Sequence, residues 1–503
     1  MHARIGTLVV IVISLLCVQF IIAGDRFTIL EVDGHPHVIR SAEGQYSSFD
    51  DLPVSVRNEL LRSSKPQARM KLGNAKPANA MTTFVVSSAG DAEDTDLNDG
   101  VYSPATLRSA IQNANKLGGS QAISFSPGIT TIQPATQLPS VTVSLIIDGT
   151  VSSGKVILDG SATTATIGLS LTKNTWVSDM IFKSWKSLGL ALTSGAANSS
   201  VSGCEFTLNS VGLNINAAGT LVGGGTPGER NLAYGNTQDG IDLVYANDNI
   251  IINNFCGTKD GITASPNTYN GVYVLGERNE VKNNVLSGNL SSGLEIGEFS
   301  KVTLVMDNLI GVDFNGSGRL PNINDGISTN GDKDSIIYNV ISGNGHGITV
   351  SGYSLQTYIA HNTIGSNLTL DSLIGNRSEG LQILGEKVVI EDNLISCNTG
   401  SGIKLTGWGG AVVKGNYIGV DPTGKLDWGN GGPGINIVND NNIIGGPNPN
   451  DKNIISGNGG SGIEMFGGFT IFFPGGSKPN YVQGNVIENN YIGTDYTGTV
   501  RIP

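Results

Sequence analysis

Cysteine, aromatic side chains and positive charge are all in short supply in this chain. Four cysteines occur in 503 residues. Cys17 lies in an N-terminal apolar stretch; Cys204, Cys256 and Cys397 are odd in number, far apart and form no Cys-x-x-Cys pair. That spacing argues against a disulfide framework or a cysteine metal site and leaves three small buried apolar side chains. Lys and Arg number 30 against 42 Asp and Glu, a net charge of −12. This balance argues against nucleic acid and anionic lipid as partners. It also disfavours a polyanionic sugar unless a basic patch or bound cations intervene. Beyond residue 22 no apolar run is long enough to span a bilayer.

What the chain has in quantity is glycine, 70 residues, in a phrase that recurs. Asn284-Val285-Leu286-Ser287-Gly288-Asn289 returns as Asn339 to Asn344, Asn393 to Asn398 and Asn453 to Asn458, with an earlier copy at Asn231 to Asn236. Each copy precedes a Gly-apolar-x-apolar segment such as Gly347-Ile348-Thr349-Val350. A second phrase alternates with it: Asn308-Leu309-Ile310-Gly311-Val312-Asp313, Asn362 to Asn367, Asn416 to Asp421 and Asn490 to Asp495. Its first asparagines stand at 254, 308, 362 and 416, a period of 54 residues holding two turns. A fixed period of this size marks a stacked architecture. Apolar and polar residues alternate with the strand period of two, and helical spacing is absent. Short strands cut by Gly and Asn, which accept positive φ cheaply, predict an all-β fold, a right-handed parallel β-helix. Successive turns would lie about 4.8 Å apart, Ile, Leu and Val filling the core and the recurring Asn stacking as an amide ladder.

The rest of the chain divides around this solenoid. Residues 1–24 read as a secretory signal, with Arg4, an apolar stretch from Leu8 to Ile22, and Ala23-Gly24 for cleavage. Residues 25–81 read as a propeptide or linker with a short helix at Val54–Arg62. Residues 82–155 hold an N-terminal cap and the first strands, and 156–503 the β-helix repeats. Within the cap, residues 103–115 predict a helix with Ser103 as N-cap, Pro104 as first helical residue, and a stripe of Leu107, Ile111 and Ala114. The stretch Phe466–Pro479 interrupts the period and reads as a bulging loop. The chain stops mid-turn after Arg501-Ile502-Pro503 with no closing cap. That implies a frayed last turn, a covering partner or a longer protein. Asn-x-Ser/Thr sequons stand at Asn198, Asn289, Asn315, Asn367 and Asn376, which would carry glycans in a eukaryotic host.

A strand, an acidic Gly-rich loop, the segment Leu107-Arg108-Ser109-Ala110-Ile111-Gln112-Asn113-Ala114-Asn115, the Ile123-Ser124-Phe125 strand and the two phrases together resemble a known group. They are similar to the right-handed β-helix proteins of the pectate-lyase-like superfamily, the secreted type with an N-terminal "SLREAI-x-AN" cap helix. The likeness covers roughly residues 82–503. It implies that the helix caps the open end of the first coil, and that sugars bind in a groove along one sheet. It also implies chemistry on polyuronides for many members. The family's catalytic signatures are not matched here. Asn236-Thr237-Gln238-Asp239 and Gly345-His346-Gly347 resemble polygalacturonase motifs but lie about four turns apart, without the companion DD and RIK. No DPH-type triplet occurs, and Asp421-Pro422 continues to Thr423.

The repeat itself offers a candidate site. The residue before each Gly-apolar strand occupies one corner on successive turns: Asp239, Asn270, Ser292, Asp325, His346, Glu379, Ser401, Pro433 and Ser461. Asp325, His346 and Glu379 therefore fall on consecutive rungs, a histidine between two carboxylates that could serve as an acid/base set. Lys404, Tyr353, Tyr358 and Trp408 are the expected substrate-binding side chains, with Trp428 nearby. Aspartates of the second phrase, at 313, 421 and 495, either accept backbone N–H groups in a turn or hold Ca²⁺; no other cofactor or metal is implied. The expected function is a secreted or cell-surface protein that binds extracellular or cell-wall polysaccharide or mediates adhesion. The alternatives are a carbohydrate-active lyase, hydrolase or epimerase acting on polyuronides, and a structural spacer. Oligomeric state is left open.

Overall fold

The computed structural model describes residues 82–467 and 482–503 in full, together with the backbone of the strands Cys17–Ile22, Asp25–Val32, His35–Arg40, Phe469–Phe473 and Gly476–Asn480. Residues 1–16, the expected cleavage site and the helix expected at Val54–Arg62 lie outside the described residues. The chain divides into two units, Met1–Leu72 and Gly73–Pro503. In the first, Cys17–Ile22, Asp25–Val32 and His35–Arg40 form an antiparallel three-stranded sheet.

The second unit is the solenoid that the 54-residue period predicts. Three long parallel sheets run along it, one of twelve strands and two of fifteen, and each full rung contributes a strand to each. The Gly-apolar-x-apolar segments make the twelve-stranded sheet. Nine of its strands matter below: β1 Ile241–Val244, β2 Val272–Leu275, β3 Leu294–Ile296, β4 Ile327–Thr329, β5 Ile348–Val350, β6 Leu381–Ile383, β7 Ile403–Leu405, β8 Ile435–Ile437 and β9 Ile463–Met465. Their pleat alternates as expected. Ile348 and Val350 are fully buried while Thr349 between them faces outward. From the other sheets, Ile341 and Ile359 close the same core, both fully buried. Burying one such side chain is worth about 1.5–3 kcal/mol, and every rung repeats the gain.

The asparagines of the phrases build two ladders, not one. Asn339, the first residue of its phrase, hydrogen-bonds to Asn308 below and Asn362 above in a ladder from Asn231 to Asn490. Asn344, the last residue of the same phrase, belongs to a second ladder from Asn209 to Asn458. In each, the amide nitrogen donates to the next rung's Oδ1 and the side chain also donates to a buried backbone carbonyl, as Asn344 does to Ile310 at 3.1 Å. This satisfies, at the corners, polar backbone that would otherwise be buried without partners. The alternation of the two phrases has its own cause. Ser287, Ser342, Ser396 and Ser456 of the first phrase each donate a hydroxyl to a carbonyl of the second phrase one rung on, at 2.7–2.8 Å.

The helix differs from expectation at its start. It is α1, Leu107–Leu117, and its N-cap is Thr106, whose Oγ1 accepts from the Ser109 amide at 3.1 Å and donates to the Ala92 carbonyl at 2.6 Å. Ser103 and Pro104 precede it. A hydroxyl three residues later can reach both the helix amide and the acidic loop, so the cap forms there. Leu107, Ala110, Ile111 and Ala114 are buried in the continuous core with Phe84, Val86 and Ile123 of the first strands. Arg108 ties the preceding acidic loop down, its guanidinium donating to both oxygens of Asp91 at 3.0 and 2.8 Å. In place of a loop over 466–479, Phe469–Phe473 pairs antiparallel with Gly476–Asn480, which runs one residue beyond that stretch.

Candidate functional site

The corner column is in the predicted register. The amides of Gly293, Gly326, Gly347 and Gly380 donate in turn to the carbonyls of Asp325, His346, Glu379 and Ser401. Glycine is required there by close approach: a Cβ on Gly326 would stand 2.7 Å from the Gly347 carbonyl oxygen, and one on Gly402 2.7 Å from that of Gly434. Side chains at the corner are thus held one rung apart.

Asp325, His346 and Glu379 meet. His346 Nδ1 lies 2.9 Å from Asp325 Oδ1, and its Nε2 lies 3.2 Å from Glu379 Oε2. Lys404, one rung further and on the outward face of β7, reaches Glu379 Oε1 at 3.2 Å. With a carboxylate oxygen on each ring nitrogen, both nitrogens are donors and the ring is an imidazolium. The hydrogen bonds to Asp325 and then Glu379 raise the His346 pKa to about 9, against the opposing effect of partial burial. His346 in turn holds the Glu379 carboxyl well below the usual carboxylate range. The neighbours therefore raise the histidine past neutral pH, and neither nitrogen is left to take a proton. The arrangement is a charged, mutually satisfied ladder of four side chains on a partly exposed edge.

The other expected residues separate. Tyr353 and Trp408 follow β5 and β7 and are 74% and 66% exposed, at the opposite edge of the same sheet from His346. Tyr358 is a strand residue of a fifteen-stranded sheet, its hydroxyl 3.2 Å from Glu391 Oε2, and so is not on this face. Trp428 lies outside the strands, and its carbonyl accepts from the Cys397 amide.

The second-phrase aspartates build turns. Asp421 accepts from the amides of Lys425 and Leu426 at 2.8 Å and from the Thr423 hydroxyl at 2.6 Å, and Asp495 does the same work in its copy. Among the described residues no group of His, Cys, Asp and Glu is arranged to hold a metal ion. Asn289 and Asn376 are fully buried in an amide ladder and Asn367 is bonded into a turn, so these three sequons cannot accept glycans in the folded chain. Cys204 and Cys256 are buried and free. Cys397 takes the left-handed conformation (φ 64) that glycine takes at 288, 343 and 457 in its place.

A second acidic cluster, which no motif marks in the sequence, lies on the same face, on β1 to β3. Asp239 accepts from the Asn270 amide at 2.8 Å, and Asn270 Nδ2 donates to Glu295 Oε2 at 2.9 Å. Asp242 accepts from Asn214 at 3.3 Å. Burial pushes the Asp239 carboxyl up to about 6; burial and then the Asp239 charge push Asp242 up to about 7. Asp239 heads the corner column read from the repeat and Asp242 is the outward residue of β1, but only the folded environment sets their proton affinity. Four rungs separate Asp239 from His346, so the two motif fragments at those positions form no common site.

The right handed beta helix region family matches residues 270–443 and 325–501. Similar solved structures include the Azotobacter vinelandii mannuronan C-5 epimerase AlgE6 A-module, at 18% identity over 76% of this chain and 94% of that one, TM-score 0.45. The AlgE4 A-module of the same organism is 13% identical over 57% and 90%, TM-score 0.43. Pectate lyase Pel9A is 14% identical over 63% and 80%, TM-score 0.31. No curated protein matches the chain in sequence. Among the described residues no helix is long and apolar enough to cross a membrane. Its three parallel sheets give the chain a right-handed parallel β-helix fold, and the family match covers residues 270–501 of it.

Proposed function

We propose that this is a secreted or cell-surface protein that binds an extracellular polysaccharide along the outer face of the twelve-stranded sheet, without strong catalysis. The observation that carries this reading is the state of His346. Both ring nitrogens are taken by carboxylates, and Lys404 takes the remaining Glu379 oxygen. Such a ladder orders a polar edge and offers no free base. Beside this ladder, on β4, β6 and β8, the outward side chains Ser328, Gln382 and Asn436 are uncharged hydrogen-bonding groups of the kind that meet sugar hydroxyls. Tyr353 and Trp408 supply flat apolar surface beside them. The test is a polysaccharide panel read by titration calorimetry, with unsaturated uronides and reducing ends followed in parallel. Binding without turnover is the expected result. Turnover abolished by His346→Ala, in a variant that keeps its fold, would overturn it.

A second reading has its own observation. A lyase, hydrolase or epimerase acting on polyuronides would draw on Asp242, because a carboxyl near pKa 7 exchanges protons at neutral pH. Its signature would be a rate with a pH limb near 7 that Asp242→Asn removes.

A further inference from the structure

Few aromatic side chains occur, yet four of the most exposed recur in turns along one edge of the twelve-stranded sheet. Tyr245, Phe299, Tyr353 and Trp408 are 76%, 73%, 74% and 66% exposed. They occupy the turns that leave the twelve-stranded sheet after β1, β3, β5 and β7. Their spacings are 54, 54 and 55 residues, the two-rung period, so one aromatic recurs on every second rung.

The turns are built to present them. The aromatic-bearing turns are one or two residues longer than those between, and the extra length pushes the ring outward. Ser300 and Ser354 follow Phe299 and Tyr353 and are buried. Their hydroxyls donate to the carbonyls of Val274 and Thr329 at 3.1 and 3.0 Å, which pins each turn. The short turns between carry Gly276, Gly331 and Gly385. A Cβ on Gly385 would come within 2.8 Å of the Ser354 carbonyl, and one on Gly331 within 3.1 Å of the Ser300 carbonyl, so these turns tuck beneath their neighbours. A Cβ on Gly352 would stand 3.6 Å from Trp408 Nε1, so the indole leans along the Tyr353 turn.

The backbones of successive aromatic-bearing turns are two rungs, about 10 Å, apart along the axis. In a flat, extended β-1,4-linked glycan each pyranose advances the chain by close to one rung. Successive rings turn over, so equivalent ring faces recur on every second sugar. The charge beside the line narrows the choice. On the rungs that bear Tyr245, Phe299, Tyr353 and Trp408 the outward side chains are Asp242, Glu295, Thr349 and Lys404; Lys404 is paired with Glu379, so the carboxyls of Asp242 and Glu295 are left to disfavour a chain of carboxylates. From this spacing and charge we infer that Tyr245, Phe299, Tyr353 and Trp408 bind an extended, uncharged β-1,4-linked polysaccharide, with every second sugar ring stacked on an aromatic side chain. This inference rests on the polysaccharide-binding reading and names its ligand class.

The test is calorimetric titration of the full chain with cello-, xylo- and manno-oligosaccharides of two to six sugars, with laminarihexaose and polygalacturonate as the differently shaped and the charged comparison. Affinity is expected to rise with length for at least one β-1,4 series. Laminarihexaose and polygalacturonate are expected to bind at least tenfold more weakly. Each of Tyr245→Ala, Phe299→Ala, Tyr353→Ala and Trp408→Ala should weaken binding of the hexasaccharide by about three- to tenfold. Phe299→Tyr and Tyr353→Phe, which keep the ring, should leave it unchanged. The substituted positions are on the surface, and circular dichroism checks that the coils persist. Indifference to all four alanine variants overturns the inference. So does equal or tighter binding of laminarihexaose or polygalacturonate, although the broader reading then stands. No binding by any glycan overturns both.

Discussion

At the scale of single residues, His346 shows how a stacked corner changes a side chain. The imidazolium is favoured by Asp325 and Glu379 on either side, with Lys404 beyond. Its pKa in the folded chain is about 9 against an ordinary 6.5. The stabilisation it brings is therefore complete below about pH 6.5 and is lost as pH rises through about 9. Nuclear magnetic resonance titration of the His346 ring should find its midpoint near 9, and Glu379→Gln should lower it. Unfolding midpoints of the wild type and His346→Gln should converge as pH is raised from 6 to 10. A titration near 6.5 in the wild type would refute the geometry. Gly347 makes a second residue-scale case. A Cβ there would collide with the Gly380 carbonyl of the next rung and approach Ile364 Cγ2 at 2.8 Å. Gly347→Ala should lower stability by about 1–3 kcal/mol in chemical denaturation, and should loosen the His346–Glu379 contact, seen as a lower His346 pKa.

At the scale of elements, the asparagine ladders and the cap of α1 carry the stability that propensity cannot supply. Removing the Asn344 side chain leaves the Asn322 amide groups without their acceptor, and the Ile310 carbonyl and Asn376 Oδ1 without side-chain donors. Asn344→Ala should cost about 1–3 kcal/mol for the groups left unpaired. An exposed asparagine such as Asn315 replaced by Ala should cost far less. For α1, Thr106→Ala should cost about 0.5–2 kcal/mol, with Ser103→Ala close to neutral, because Thr106 makes the capping bonds. The helix and its apolar stripe were legible from Leu107, Ile111 and Ala114. Its start was not, because Ser103 and Thr106 are both good caps in sequence and only the position of the Ala92 carbonyl chooses between them. The hairpin within 466–479 escaped sequence reading for a related reason. Gly, Pro and Phe in one short stretch suit a loop and a hairpin equally well.

At the scale of the whole molecule, each rung is supported by its two neighbours and by a shared aliphatic core. Nearest-neighbour stacking of this kind makes stability roughly a sum over rungs and their interfaces. Ile341→Ala, at a fully buried position, should cost about 2–5 kcal/mol. By hydrogen exchange, the loss of protection should be greatest in the rungs bearing Leu309–Ile310, Val340–Ile341 and Thr363–Ile364 and should fade along the axis. Uniform loss over the whole solenoid would show a longer-range cooperativity than the stacking implies. The aromatic line is also a whole-molecule feature. It was present in the numbering, since 245, 299 and 353 are one period apart. The period is carried by asparagines, and nothing in the sequence marks which turn residues share an edge.

The sequence by itself determined the solenoid. Alternation at period two, glycines at close approaches and asparagines at two of the three corners leave one way to bury the apolar residues, and a fixed repeat fixes the register of each column. That is why Asp325, His346 and Glu379 could be placed on successive rungs from their numbers alone. The tertiary structure decided what those columns can do. Proton affinity depends on which oxygens reach which nitrogens and on how much water is excluded. That closes His346 into a charged ladder and raises Asp239 and Asp242. Tyr358 is moved off the face because strand pairing, not nearness in the chain, assigns a side chain to a sheet.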